Sequence, residues 1–274
     1  MRDISAETFD LIVIGAGING AGIARDAAMR GLKVILLDKG DIGGGTSSWS
    51  TRLIHGGLRY LEHGEFGLVR ESLREREVLF CIAPHLVKPL PMMIPLYGDA
   101  LRGRWIIRAG MIAYDVLSLD KSLPHHRILS PAEALQKAPG LNVEELLGAA
   151  LYYDAQVEFA ERLVVENALS ARNHSATIKT YARVDEFMVE KDRVIGVGIT
   201  DLATNESHSI RGRVSINAAG PWVDQVAGRS DPVEVTRLIG GTKGSHIVVG
   251  HFPGAPETAL PCPRCVFSVL KRSP

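Results

Sequence analysis

Residues 10–38 read DLIVIGAGINGAGIARDAAMRGLKVILLD, and this stretch decides the fold. Leu11 to Ile14 is a short, mostly β-branched apolar run, as expected of a strand buried on both faces of a parallel sheet. Gly15, Gly17 and Gly20 follow as G-x-G-x-x-G. The first glycine makes a tight turn, the second lets the backbone approach a pyrophosphate, and the third lets helix and strand pack closely. Small and apolar residues continue at helical spacing from Ala16 to Met29, with Gly31 placed as the C-terminal cap. Lys33 to Leu37 forms a second strand. Asp38 closes it, 18 residues after Gly20, where a carboxylate accepts hydrogen bonds from ribose hydroxyls. The helix start offers its N–H groups to phosphates. Strand, turn, helix, strand and terminal acid together point to the adenosine diphosphate half of a dinucleotide. NAD and FAD both carry that half, so the unit by itself leaves the choice open.

The 274 residues, 46% hydrophobic and 23% charged, have the composition of an ordinary soluble chain, large enough for one big domain or two small ones. A net charge of zero gives no global argument for nucleic acid. Met1 to Phe9 mixes charges with no apolar segment, which argues against a signal peptide, and no run of about 18 apolar residues is present to span a membrane. Three cysteines suit a reducing compartment. Cys262 and Cys265 form a C-x-x-C with only His251 nearby as a further ligand, so two free thiols are expected rather than a zinc site.

A nicotinamide-binding fold would proceed from Asp38 to another helix. Here Gly40 to Gly45 is glycine-rich, and Thr46, Ser47, Ser48, Ser50 and Thr51 follow as a hydroxyl cluster able to run along a cofactor. Leu53 to His63, LIHGGLRYLEH, then sets Gly56 and Gly57 between His55 and the pair Arg59 and Tyr60. Two glycines beside an imidazole, a guanidinium and a phenol make poor core composition but good site composition.

The GAGINGAGIARDAAMRG turn, the TSS cluster and LIHGGLRYLEHGEFGLVRESLREREVL together resemble FAD-dependent glycerol-3-phosphate dehydrogenases, over Asp10 to about Val249. The resemblance implies a flavoprotein that oxidises sn-glycerol 3-phosphate to dihydroxyacetone phosphate and passes electrons to a quinone. It implies a Rossmann-like, doubly wound parallel sheet for FAD, with an interleaved α+β substrate domain on an antiparallel or mixed sheet. Gly15, Gly17, Asn19, Gly20, Asp38 and Lys39 would hold the adenosine diphosphate. Thr46, Ser47, Ser48, His55, Gly56, Gly57 and Leu58 would lie along the flavin. Val214 to Asn217, rising into Ala218, Ala219, Gly220, Pro221 and Trp222, would bring backbone close to the pyrophosphate, which favours FAD. The expected division is 1–80 and 151–228 for FAD, and 81–150 and 229–274 for substrate.

Elsewhere the pattern predicts a helix over Glu65 to Ala83 with Phe66, Val69, Leu73 and Phe80 on one side and a solvated charged face. Pro84 to Gly98 holds four prolines, so strands there should be short or at an edge. Trp105 to Leu119, flanked by Arg102, Arg104, Arg108 and Lys121, reads as a core helix, with a membrane-interface helix as the other reading. Ser130, Pro131 and Glu133 spell a capped helix start. Ala149 to Tyr153 is expected as a strand and Val157 to Arg172 as a helix. Strands are expected at Ala176 to Thr180, Val184 to Val189 and Val194 to Thr200, the last two joined by a turn at Glu190 to Asp192. Lys243, Ser245 and His246 stand at the entrance of a further strand, Ile247 to Val249. Beyond about Pro253 the resemblance fades, and the reading expects a truncated, frame-shifted or partial chain.

For the chemistry, Arg59 is the chosen cation for a phosphate, since its planar fork suits that group. Tyr60 would hydrogen-bond beside it, and His55 or His246 would accept the hydroxyl proton. The partners implied are glycerol 3-phosphate and a quinone, with a membrane surface and a second copy of the chain left open and nucleic acid not expected. The location implied is the cytoplasm or the cytoplasmic face of the inner membrane. Two other readings stay open: an inactive FAD-binding remnant, and an amine or amino-acid oxidase of the same flavin fold.

Overall fold

The computed structural model describes residues 6–61, 63–98, 104–118, 122–228, 237–241, 244–250, 252–261 and 268–269. Two compact units alternate along the chain, one of residues 1–50 and 159–245, the other of 51–158 and 246–274.

The first unit begins with β1 (Thr8–Ile14), α1 (Ile18–Met29) and β2 (Val34–Leu37). The chain then enters the second unit with β3 (Leu53–Ile54), α2 (Leu58–Leu61), α3 (Phe66–Ile82) and β4 (Val87–Tyr97). It continues through α4 (Arg104–Leu117), β5 (Arg127–Leu129), α5 (Pro131–Lys137) and β6 (Leu146–Val157). The first unit resumes with α6 (Ala160–Asn173), β7 (Thr177–Lys179), β8 (Ala182–Glu190), β9 (Arg193–Asp201), β10 (Ser207–Asn217), a single 3₁₀ turn at Gly220–Trp222 and α7 (Val223–Ala227). Short strands β11 (Leu260–Pro261) and β12 (Ser268–Val269) belong to the second unit.

In the first unit the strand order is β7-β2-β1-β10-β9-β8, parallel from β7 to β10 and antiparallel beyond. The continuous apolar runs of β1 and β2 follow from burial on both faces. Leu11, Val13, Val34 and Leu36 pack with Ala24, Ala27 and Ala28 of α1 and Ala171 of α6. Ile12, Ile14, Ile35 and Leu37 face the other way, against Val184, Val197, Ile199 and Ile210. Helices thus cover one face of the parallel strands and the β8–β9 ribbon contributes to the other. Lys191 and Asp192 take positive φ in the hairpin turn expected between them.

In the second unit β6 pairs antiparallel with β4 along one side and with β3 and β5 along the other. Alternate residues divide two cores. Met93, Ala149 and Leu151 face Ala134 and Ala138 at α5, whose start carries the complete Ser130–Glu133 capping box. Met92, Ala150 and Tyr152 face Val69 and Leu73 of α3 and Met111 and Tyr114 of α4. Strand β4 is an edge but not a short one. Met93 donates to Ala259 and Pro91 accepts from it on the outer side, and Pro89, Pro91 and Pro95 share that parity. Their missing N–H groups therefore remove nothing from the β4–β6 ladder.

Several expectations shift. The unit boundaries fall at 50/51 and 158/159 rather than at 80/81 and 150/151, because Val69 and Leu73 bury α3 in the β4–β6 core. The helix expected from Val157 starts at Ala160, since Val157 pairs with Val87 and donates to the Arg52 carbonyl. Helix α4 is a core helix on its Met111 and Tyr114 side, leaving Ile112 and Val116 exposed. The apolar run Ile247 to Val249 has no strand partner among the described residues and is exposed at 79, 74 and 65%. The charged face of α3 is not wholly solvated, because Arg76 is buried with Val69 and Leu73. His251, Cys262, Cys265, Arg102, Lys121 and Lys243 lie outside the described residues.

Candidate cofactor and substrate site

The glycine turn of the first unit is built by close approach. Gly15 takes φ +103°, and a Cβ there would lie 2.6 Å from the Ala218 carbonyl oxygen. A Cβ on Gly20 would lie 1.8 Å from the Gly15 carbonyl oxygen. Both positions require the absence of a side chain. Backbone bonds lock the turn between its neighbours, Gly15 N–H to the Leu37 carbonyl at 2.7 Å and Ala218 N–H to the Ile14 carbonyl at 2.8 Å.

Gly17 is the N-cap of α1 and brings no capping side chain. The first helical amide, Ile18, donates to the Ser47 hydroxyl at 3.0 Å. The amides of Asn19 and Gly20 have no hydrogen-bond acceptor among the described residues. A helix end of this kind carries partial positive charge and free donors, the requirement for a pyrophosphate. Ser47 still has its own hydroxyl proton to donate.

The hydroxyl loop is folded rather than free. Gly43 donates to the Ala16 carbonyl at 2.9 Å, and the Ser48 hydroxyl donates to the Gly43 carbonyl at 2.6 Å. Thr46 is exposed within the same run of turns. Asp38 accepts from the Ala16 amide at 2.6 Å and from the Gly40 amide at 2.8 Å, one bond to each oxygen. Each oxygen keeps a further acceptor position. The Lys39 ammonium lies 5.0 Å from the centre of the Trp222 ring, a cation–π arrangement, and that ring closes on Gly45. Ala219 N–H is held by the Asn217 side chain at 3.2 Å, and Gly220 takes φ +56°. These residues fit the adenosine diphosphate half of a dinucleotide: a cradle that a Cβ would fill, open amides at a helix start, and a carboxylate with acceptor capacity.

In the second unit the turn from His55 to Tyr60 sets the His55 imidazole and the Tyr60 ring near one another. Gly57 takes φ +66°, and the position of its absent Cβ is crowded by the Tyr60 ring and lies 3.6 Å from His55 Nδ1. Gly57 also accepts from the Tyr60 amide at 2.8 Å. His55 and Tyr60 are exposed, whereas Gly56 and Gly57 are buried and Leu58 is half-buried against the core. Arg59 stands between them in α2. His246 is in an exposed segment, and no hydrogen bond or ion pair joins it to His55 or Tyr60 among the described residues.

Beneath this turn is a cluster that the sequence reading missed. Asp154 and Arg76 form an ion pair at 2.6 Å with side chains 2 and 1% exposed. The Tyr114 hydroxyl donates to the same Asp154 oxygen at 2.6 Å. The Gly56 amide donates to the Tyr114 oxygen at 3.1 Å and approaches Asp154 Oδ1 at 3.3 Å. Burial pushes the Asp154 carboxyl above its ordinary range, opposed by the Tyr114 hydrogen bond and by Arg76. Burial also raises the Tyr114 phenol, as does the neighbouring carboxylate. Two signals stood in the sequence. Arg76 continues the Val69, Leu73 stripe at helical spacing, and Asp154 interrupts the apolar run of β6.

Cys81 is an exposed free thiol, and no metal-binding group of His, Cys, Asp or Glu occurs among the described residues.

Comparison with known proteins gives the family. A family model described as FAD dependent oxidoreductase matches residues 10–272. A glycerol-3-phosphate dehydrogenase of Synechocystis is 52% identical over 267 residues, 94% of this chain and 48% of that protein. A D-erythritol 1-phosphate dehydrogenase of Brucella abortus is 44% identical over 90% of this chain and 48% of its own length. Among solved structures, the glycerol-3-phosphate dehydrogenase of Bacillus halodurans complexed with FAD superposes with a TM-score of 0.63 at 30% identity, covering 82% of this chain and 37% of that one. The chain spans about half the length of the curated relatives it matches. With the glycine turn, the close return at Ala218 and a family match across nearly the whole sequence, the chain belongs to the FAD-dependent oxidoreductases.

Proposed function

We propose that this chain carries the FAD site and part of the substrate site of a dehydrogenase that oxidises a polyol phosphate, sn-glycerol 3-phosphate, to dihydroxyacetone phosphate. The observation that carries the reading is the His55–Tyr60 turn, where two buried glycines set an imidazole and a phenol near one another. The relatives named above support the substrate class. FAD, when bound, supplies the acceptor for the two electrons of alcohol oxidation.

The first unit binds the adenosine diphosphate half of FAD: open α1 amides and Ser47 hold the pyrophosphate, and Asp38 accepts from ribose hydroxyls. The second unit contributes to the substrate. Arg59 pairs with the phosphate dianion, Tyr60 hydrogen-bonds to the substrate, and the His55 imidazole takes the hydroxyl proton. His246 is the alternative base, in a segment that the described contacts leave apart from His55. A quinone as final acceptor and a place on the cytoplasmic face of the inner membrane belong to the same proposal. Among the described residues no helix is long and apolar enough to cross a membrane.

The Brucella relative supplies the second reading, a four-carbon polyol phosphate. Both substrates present a phosphate monoester and alcohol groups to the same side chains. The test is anaerobic addition of each to the FAD-loaded chain. Bleaching of the flavin bands by glycerol 3-phosphate is expected. Bleaching by erythritol 1-phosphate alone would move the substrate to the second reading, and bands unchanged by either would overturn both.

A further inference from the structure

We infer that Tyr114, Asp154 and Arg76 form a positioning network for the Gly56 peptide, fixing the turn that presents His55 and Tyr60. Its functional meaning rests on the polyol phosphate reading. The hydrogen bonds have one consistent direction. Gly56 N–H donates to the Tyr114 oxygen and, at 3.3 Å, to Asp154 Oδ1, and the Tyr114 hydroxyl and Arg76 Nη1 both donate to that same Asp154 oxygen. Arg76 is itself aimed by a 3.3 Å bond to the Tyr153 carbonyl. Three elements, α3, α4 and β6, thus meet on one amide.

The arrangement is hard to explain as stabilisation alone. A buried ion pair gains little over apolar groups of the same volume, because desolvation offsets the attraction. Arg76 even leaves Nε without a hydrogen-bond partner among the described residues. What such a network supplies is a defined geometry. Its endpoint is a position that tolerates no side chain: a Cβ on Gly56 would lie 2.6 Å from the Tyr114 oxygen and 2.7 Å from Leu73 Cδ2. The amide belongs to the peptide that joins Gly56 to the exposed His55, and the next residue, Gly57, accepts from the amide of the exposed Tyr60 at 2.8 Å. Tyr152, packed edge-on to Tyr114 at 5.9 Å between ring centres, fixes the phenol that carries the bond.

Tyr114→Phe removes the hydroxyl and keeps the ring packing. Hydrogen exchange of the Gly56 amide, measured by NMR on the chain without FAD, is expected to speed up about tenfold, the loss of roughly one hydrogen bond. The Met93 and Leu151 amides should stay at their wild-type rates. Met92→Ala, in the same apolar cluster but off the network, should move all three amides in step. In the FAD-loaded chain Tyr114→Phe should slow bleaching by glycerol 3-phosphate about tenfold with FAD occupancy unchanged. Where Tyr114→Phe does not fold, Asp154→Asn, which keeps an acceptor oxygen, replaces it. Gly56 exchange that is unchanged, or that rises only in step with Met93, overturns the network. Wild-type bleaching by the variant overturns its link to the site. Wild-type chain that glycerol 3-phosphate never bleaches marks instead the failure of the substrate reading, whatever the exchange result.

Discussion

Two glycine-containing turns, one in each unit, carry candidate site residues, and they are held by different means. The turn at Gly15 is fixed chiefly by backbone: its neighbours are the ends of β1, β2 and β10, joined peptide to peptide, and the side chains that add to it, Asp38 on the Ala16 amide and Ser47 on the Ile18 amide, come from within about 30 residues of the turn. The turn at Gly56 is fixed by side chains, a phenol 58 residues away and a carboxylate 98 residues away in sequence. The first kind of turn depends on glycines at set spacing and on polar side chains close by in sequence. The second depends on a buried charge that a single substitution can strand.

Substitutions that separate the two supports should differ in size. The largest effect is expected from Asp154→Ala, which leaves Arg76 buried without its partner. A loss of about 3–5 kcal/mol is expected from urea unfolding, and a change under about 1 kcal/mol would show that the pair behaves as a surface salt bridge. Gly20→Ala comes next. Its Cβ has 1.8 Å to the Gly15 carbonyl oxygen, and the displaced turn should cost about 1–3 kcal/mol and weaken FAD retention on a desalting column. Full retention at wild-type stability would mean the turn relaxes freely. Ser130→Ala, away from both turns, removes one half of the capping box and should lower stability by about 1 kcal/mol, with FAD absorbance as in wild type.

The smallest expected difference is in pH dependence, and the two units should show opposite signs. Asp201 in the first unit has its pKa lowered, first by the Lys179 hydrogen bond at 2.6 Å and then by the Ala203 amide. Its contribution is present above the ordinary carboxylate value of 3.8 and is lost as pH falls through the lowered one. Asp154 has its pKa raised, so its contribution is present below 3.8 and is lost as pH rises through the raised value. Urea midpoints from about pH 2 to 8 should show Asp201→Asn flattening the acid limb and Asp154→Asn flattening the decline that sets in above 3.8. Identical profiles for the two variants would contradict both assignments.

The same contrast explains what the sequence made legible. The unit from β1 to Asp38 could be read almost residue by residue, because the glycine spacing, the doubly buried strands and the terminal acid are local consequences of one geometry. Ser130 with Glu133 and the turn at Lys191 and Asp192 were legible for the same reason. His55, Gly56, Gly57 and Tyr60 were legible as a composition, but their support was not. Arg76 sits in the charge-rich run RESLRERE, and only the stripe through Val69 and Leu73 separates it from its solvated neighbours. Tyr114 and Asp154 reach Gly56 through tertiary packing, which no short window contains. The strand expected at Ile247 to Val249 rested on an apolar run that has no strand partner among the described residues, and a strand exists only by pairing.

The most direct test of the account is FAD binding by the chain, followed by flavin fluorescence for wild type and for Asp38→Asn. Wild type is expected to quench the flavin, ADP to compete with it, and Asp38→Asn to weaken binding by about tenfold or more through loss of a charge-assisted ribose contact. FAD that does not bind, or that binds both proteins equally and is indifferent to ADP, would contradict the assignment of the glycine turn and Asp38 to the dinucleotide.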